Sequence, residues 1–229
     1  MPSNSIVYRS PFLRPRLATG LLWLLCLLPI AAQAAPLASF DARYHLAVDG
    51  WPDATVHHRV YREGDHWRSD MRAQVAIAEG QETARFTENG DGLRALGYSS
   101  GYRLLGIGKS YRLDNRQLQR HPDRQTALVD LSRSVQQQRC VSGCEIRYLD
   151  HKGDIETLVV TPLPTAAIDV DGRTVNALRV RLVEPGKDDR HMEVAFHPDL
   201  PGLLLGMDYT KRGERVSRLS LTSLTTTDN

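Results

Sequence analysis

The chain has 229 residues, 29 of them Lys or Arg against 27 Asp or Glu, for a formal charge of +2. Charges of both signs are interspersed without a basic block, so the composition carries no electrostatic footprint for nucleic acid. About 195 residues past the leader described next are enough for one domain with a core of its own.

Residues 1–34 predict a secretory signal. Arg9, Arg14 and Arg16 form a basic leader without an acid, residues 17–32 are almost continuously apolar, and Ala32-Gln33-Ala34 presents a small-x-small site cut between Ala34 and Ala35. The apolar run from Leu21 is about a dozen residues, short of the roughly 20 that cross a bilayer, and Pro29 interrupts it. An uncleaved anchor is the alternative. Cys26 follows Trp23-Leu24-Leu25 rather than the small residue that lipoprotein processing requires. Cleavage removes three arginines and no acids, taking the formal charge from +2 to −1. The expected product is a soluble periplasmic domain spanning 35–229, not integral to the membrane, because no second apolar run approaches spanning length.

Alternation of apolar and polar residues dominates the mature chain. Phe40, Ala42, Tyr44, Leu46 and Val48 share one face of a predicted strand that ends at Gly50-Trp51-Pro52-Asp53. Residues 55–62 and 66–77 continue the pattern around Glu63-Gly64-Asp65, and 84–88 meets 93–98 across Asn89-Gly90, a strong hairpin signal. Residues 102–113 read as one further strand, with Gly106 and Gly108 weakening it or marking a bulge. After Pro122, Asp123 can cap a helix whose Leu128, Leu131 and Val135 form an apolar stripe. Strands then resume over 145–150, 155–161, 174–183, 191–196, 203–210 and 216–224. Leu158-Val159-Val160 and Leu203-Leu204-Leu205 are apolar at consecutive positions, so both faces there want cover.

Cleavage leaves Cys140 and Cys144 as an even pair in an oxidising compartment, which predicts a disulfide across Val141-Ser142-Gly143. The expected class is mainly β: a strongly curved antiparallel sheet, or half-barrel, of about ten strands with one covering helix on its concave face. A closed barrel with the helix outside is the competing arrangement.

The order Phe40-x-Ala42-x-Tyr44, Asp130-Leu131-Ser132, Tyr148-Leu149-Asp150-x-x-Gly153, Val175-x-Ala177-x-Arg179-Val180 and Phe196-x-Pro198-Asp199-x-Pro201 resembles the DUF3108 domain of exported proteobacterial proteins, over most of 38–224. The chain departs from that pattern at Gly97-Tyr98-Ser99-Ser100-Gly101-Tyr102 and carries the additional Cys140 and Cys144. The resemblance implies a shape similar to the LolA/LolB half-barrels, a curved sheet and helix around a greasy cavity, and supplies no catalytic residues.

Candidate chemistry is sparse. Gly106-Ile107-Gly108-Lys109-Ser110 ends like a phosphate loop, but Arg103 stands where the pattern needs glycine. His57 and His58 are adjacent and point to opposite faces of a strand, while His45, His66, His121, His151, His191 and His197 make no helical pair or H-x-H. No serine lies in a Gly-x-Ser-x-Gly elbow, and Asp169, Asp171, Asp188 and Asp189 fall in turns. No catalytic, metal or cofactor residue is assigned. The expected function is a non-enzymatic periplasmic binding or carrier-like protein, its partner a lipid or other apolar ligand or an envelope component. The alternatives are an envelope assembly or interaction factor that holds a protein at its sheet edge, and a cofactor-free enzyme.

Overall fold

A computed structural model describes residues 36–90, 92–170 and 172–227. The leader, Cys26 and the cleavage site between Ala34 and Ala35 lie outside the described residues. Twelve strands alternate in chain order: β1 (Ser39–Val48), β2 (Ala54–Glu63), β3 (His66–Val75), β4 (Ala78–Asn89), β5 (Gly92–Leu104) and β6 (Ile107–Leu113) precede helix α1 (Arg124–Gln136). β7 (Cys144–Leu149), β8 (Ile155–Val170), β9 (Arg173–Val183), β10 (Arg190–Phe196), β11 (Leu204–Lys211) and β12 (Glu214–Thr227) follow it.

The class agrees with the sequence, and the strand count is twelve rather than about ten. Two segments differ in their boundaries. Residues 102–113 are not one strand, because Leu105 (φ 51°) and Gly106 (φ 84°) make a two-residue hairpin turn between β5 and β6. Two consecutive positive φ values match the right-handed twist of the flanking strands. β8 continues beyond residue 161 through Pro162 and Pro164, and its pairing with β9 shifts between Leu163 and Ala166. Proline has no N–H to give the ladder, so a bulge at that place lets the strand pass.

The sheet runs in the order β6-β5-β4-β3-β2-β1-β12-β11-β10-β9-β8-β7, so the terminal strands pair in its middle and its two edges are strands consecutive in the chain. α1 touches β4 and β5 near one edge and β7 at the other. A helix of 13 residues is about 20 Å long, whereas β5 and β7 in a flat sheet of this order would stand roughly 48 Å apart. The sheet therefore curls until its edges approach. Leu149 N donates to Pro122 O at 2.8 Å, and the rings of Tyr111 and His151 meet edge to face at 4.7 Å across the seam. The ladder stays open between β6 and β7, and α1 lies on the concave side against β4 and β5 and against β7.

The concave side is filled by side chains: Tyr44, Phe86, Phe196, Leu131 and Leu203 are each less than 2% exposed. Burying a side chain of this size contributes roughly 1.5–3 kcal/mol, and this packing fixes the curl. Leu204 joins this core while Leu205 enters a second cluster with Val170, Ala177 and Ala195, so the leucine run is covered on both faces as its sequence requires. Leu158 and Val160 are buried, but Val159 is 42% exposed, and that strand is covered on one face only.

Asp123 caps α1, accepting from Gln125 N and Thr126 N at 3.0 Å and from Thr126 Oγ1 at 2.7 Å. The buried side of α1 differs from the expected stripe. Leu131 is buried with Val129, Leu128 and Val135 are half-buried, and Gln125, Thr126, Ser132 and Arg133 are buried beside them. A helix held between β4 and β5 on one side and β7 on the other is enclosed on several sides, so polar positions are drawn inside with it. The Cys140–Cys144 disulfide forms over a Cα separation of 5.1 Å and ties the chain after α1 to the start of β7. Gly143 takes φ 87° within that ring, a conformation that glycine adopts freely.

Candidate functional site

α1 covers only part of the concave face. Beyond its first turn the face opens as a groove of about 380 Å³ between Met71 and Ala73 of β3, Tyr102 of β5, Tyr111 of β6 and His151 of the β7–β8 turn. Gly80 contributes no side chain to its wall, and nothing lies within 4 Å of where a Cβ would stand there. Its floor is an ion pair. Arg124, the first residue of α1, donates through Nε to Glu82 Oε2 at 2.9 Å and to the Tyr98 hydroxyl at 3.1 Å, and its Nη2 bonds Glu82 Oε1. Burial and the Glu82 charge push the Tyr98 hydroxyl upward. Burial alone would lower Arg124, but Glu82 outweighs it and holds the guanidinium charged.

Beneath the floor runs a sealed polar relay. Gln125 Nε2 donates to Glu82 at 3.3 Å and Ser69 Oγ donates to Gln125 Oε1 at 2.6 Å; with the serine proton so used, His58 Nε2, 2.9 Å from Ser69 Oγ, is left the donor's role. These bonds pin α1 to β2, β3 and β4. His58 is 2% exposed and stacks edge-on against Phe40 at 5.2 Å. Desolvation, joined by the neighbouring His57 and opposed by Asp70, lowers its pKa to about 4. A neutral ring that gives its proton to Ser69 cannot at the same time take one from it. Ser69 is 0% exposed and its hydroxyl proton is committed to Gln125, so this His–Ser pair is structural rather than nucleophilic.

The alternation of β2 places His58 on the face of Val56 and Val60 and leaves His57 on the other, where it bonds Asp41 at 2.6 Å. Among the described residues no group of three His, Cys, Asp or Glu side chains is arranged to hold a metal. Gly106 to Ser110 is a hairpin turn running into β6, not a phosphate-binding loop at a helix start. Trp67 is a core residue, and Trp51 stands 55% exposed in its turn.

Glu82, Arg124, Gln125 and Ser69 escaped the sequence reading. One signal was present: Glu82 shares strand parity with buried Ala84 and Phe86, and Ser69 with Trp67, so both are polar residues on the inward face of a strand.

A second feature lies just beyond the groove, at the end of the same strands. Ile77 in the β3–β4 turn and Leu104, Leu105 and Ile107 around the β5–β6 turn are exposed together, with Tyr102 just behind them. Leu105 N donates to Ile77 O at 2.9 Å, which locks the two turns to each other.

These features define a class: an open, curled antiparallel sheet with one helix on its concave side, whose uncovered end presents a groove and an apolar tip. No family model matches the chain, and no curated protein matches it. Solved structures do. The chain is similar to MucB in the Pseudomonas aeruginosa MucA/MucB complex, at 16% identity and a TM-score of 0.42, over 83% of this chain and 52% of that one. MucB alone aligns at 14% identity and a TM-score of 0.39 over 86% and 56% of the two chains. MucB bound to periplasmic MucA aligns at 13% and 0.41 over 83% and 51%. The chain thus spans about half the length of these neighbours, and likenesses this shallow carry no functional argument.

Proposed function

We propose that this chain is an exported, non-enzymatic envelope protein that holds a segment of a protein partner in the groove above Glu82 and Arg124. The leader, with its arginines, short apolar run and Ala34–Ala35 cleavage site, supports export to the periplasm. The observation that carries the binding reading is the groove itself. It is open at its end, walled by Met71, Tyr102 and Tyr111, and floored by the Glu82–Arg124 pair. Tyrosine and methionine walls give contact area, and a charged floor can exchange hydrogen bonds with a peptide backbone or side chain. An acyl chain laid over the same floor would strip water from the ion pair and return no hydrogen bond.

The apolar-carrier alternative needs a greasy cavity behind the helix, and that space is occupied by Phe86, Leu131, Phe196 and Leu203. The enzyme alternative needs a reactive group that substrate can reach, whereas the convergent His58, Ser69 and Gln125 are sealed and bonded to one another.

Native mass spectrometry of protein released from the periplasm, followed by organic extraction, separates the readings. The expected species begins at Ala35, is lighter by two hydrogens for the disulfide, and carries no lipid. A stoichiometric lipid would overturn this reading in favour of a carrier.

A further inference from the structure

Exposed apolar side chains are ordinary when scattered, but here they coincide with backbone strain. Type I′ turns favour Asn-Gly because both central residues take positive φ. This hairpin has Leu105-Gly106 instead, with Leu105 at φ 51° and 74% exposed. An L-residue with a γ-branched side chain is disfavoured in that region, and nothing in the fold covers the leucine in return. Ile107, the next strand residue, is 81% exposed, and Ile77 on the adjoining turn is 47% exposed. The Leu105 N to Ile77 O bond couples the two turns, so the apolar tip is built from both of them.

Its surroundings have one sign. Across 72–80 and 101–110 the charged residues are Arg72, Arg103 and Lys109 against the single acid Glu79, which bonds Arg103 at 2.8 Å. Arg72 and Lys109 have no ion-pair partner among the described residues. Lys109 stands directly across from Tyr102, two residues back from Ile107, and Arg72 stands one register position further back on β3.

We infer that the paired β3–β4 and β5–β6 turns are a foot that seats this protein on an anionic lipid surface. Leu104, Leu105, Ile107 and Ile77 enter the headgroup–acyl boundary, Tyr102 lies at headgroup level, and Arg72 and Lys109 meet lipid phosphates. Exposed apolar turn residues with two unpaired cations set behind them match the two layers of an anionic bilayer, the acyl boundary and the phosphates. The inference shares the chain's export and the Tyr102 ring with the proposed function, and it uses neither the groove's charged floor nor its occupant.

The test is co-sedimentation of the protein purified after export with vesicles. One set holds equal parts phosphatidylglycerol and phosphatidylcholine, the other phosphatidylcholine alone. Binding is expected to the mixed vesicles, weakened by salt and by Arg72→Gln with Lys109→Gln. Leu105→Asn and Ile107→Thr are each expected to lower the partition about tenfold, the loss that corresponds to one inserted aliphatic side chain. Asn tolerates positive φ, so Leu105→Asn should unfold at equal or higher urea concentration while losing vesicles, a pairing that a merely structural leucine would not give. Wild-type protein that ignores the mixed vesicles, or Leu105→Asn that binds them as well as wild type does, would overturn the inference. If capture of a protein partner falls in Leu105→Asn while vesicles are ignored throughout, the tip is a protein contact and the inference fails.

Discussion

Lowering the pH from 7.5 to 5 sets two buried groups of opposite sign against each other. His58 has a folded pKa lowered from 6.5 to about 4, chiefly by desolvation. Its contribution to stability is complete above 6.5 and is lost as the pH falls, because the unfolded chain takes up a proton that the folded one refuses. At pH 5 that loss is about 2 kcal/mol. Asp123 has a folded pKa raised from 3.8 to about 6 by burial, against the three hydrogen bonds it accepts. Its contribution is complete below 3.8 and lost as the pH rises through 6, so moving from pH 7.5 to 5 returns about 1 kcal/mol. From these two groups the wild type should lose only about 1 kcal/mol over that interval. Asp123→Asn keeps a capping acceptor but removes the titration, so its loss should widen to about 2 kcal/mol. His58→Gln should reverse the sign, making the variant more stable at pH 5 than at 7.5 as far as these groups are concerned. Urea unfolding with the disulfide intact, followed through buried Trp67, measures each difference. An Asp123→Asn variant as stable at pH 5 as at pH 7.5 would refute the reasoning, since it would mean that His58 does not remain neutral inside the fold.

Three other outcomes follow from single contacts. Ser69→Ala leaves Gln125 Oε1 and His58 Nε2 without their shared partner and should cost about 1–3 kcal/mol in urea unfolding, against well under 1 for a solvent-facing serine. Gly108→Ala places a Cβ inside the contact distance of the Tyr102 carbonyl oxygen, so hydrogen exchange should show the β5–β6 hairpin opening while β10–β12 stay protected. Replacing both Cys140 and Cys144 with alanine should cost about 2 kcal/mol, the value of a very short loop, and should leave the rest of the sheet intact by far-UV circular dichroism.

Much of the fold was legible because antiparallel strands declare themselves locally. Phe40, Ala42 and Tyr44 alternate onto the buried face of β1 as their spacing requires, and Asn89-Gly90 lies at the β4–β5 turn. Asp123 caps α1 and Cys140 joins Cys144, each a relation within four residues. The two-residue turn at Leu105-Gly106 was not legible, since leucine is the wrong residue for positive φ and the surrounding alternation continues on either side. The polar underside of α1 was hidden for a different reason. Whether Gln125 and Arg133 face water or protein depends on how tightly β4, β5 and β7 close around the helix, and strand periodicity says nothing about closure. The groove is less local still: Met71, Tyr111, Arg124 and His151 come from four elements, and only the curl of the sheet brings them together.

The central claim is that the open end of the sheet grips a protein segment. It is tested most directly by placing a photo-crosslinking residue at Tyr111 in the groove and, as a control, at Arg181 on β9, then irradiating intact cells. The account predicts one envelope protein crosslinked from position 111, lost when Arg124→Gln and Glu82→Gln remove the charges of the floor, and absent from position 181. Crosslinks that form equally at both positions, or a lipid adduct at position 111 in place of a protein, would contradict it.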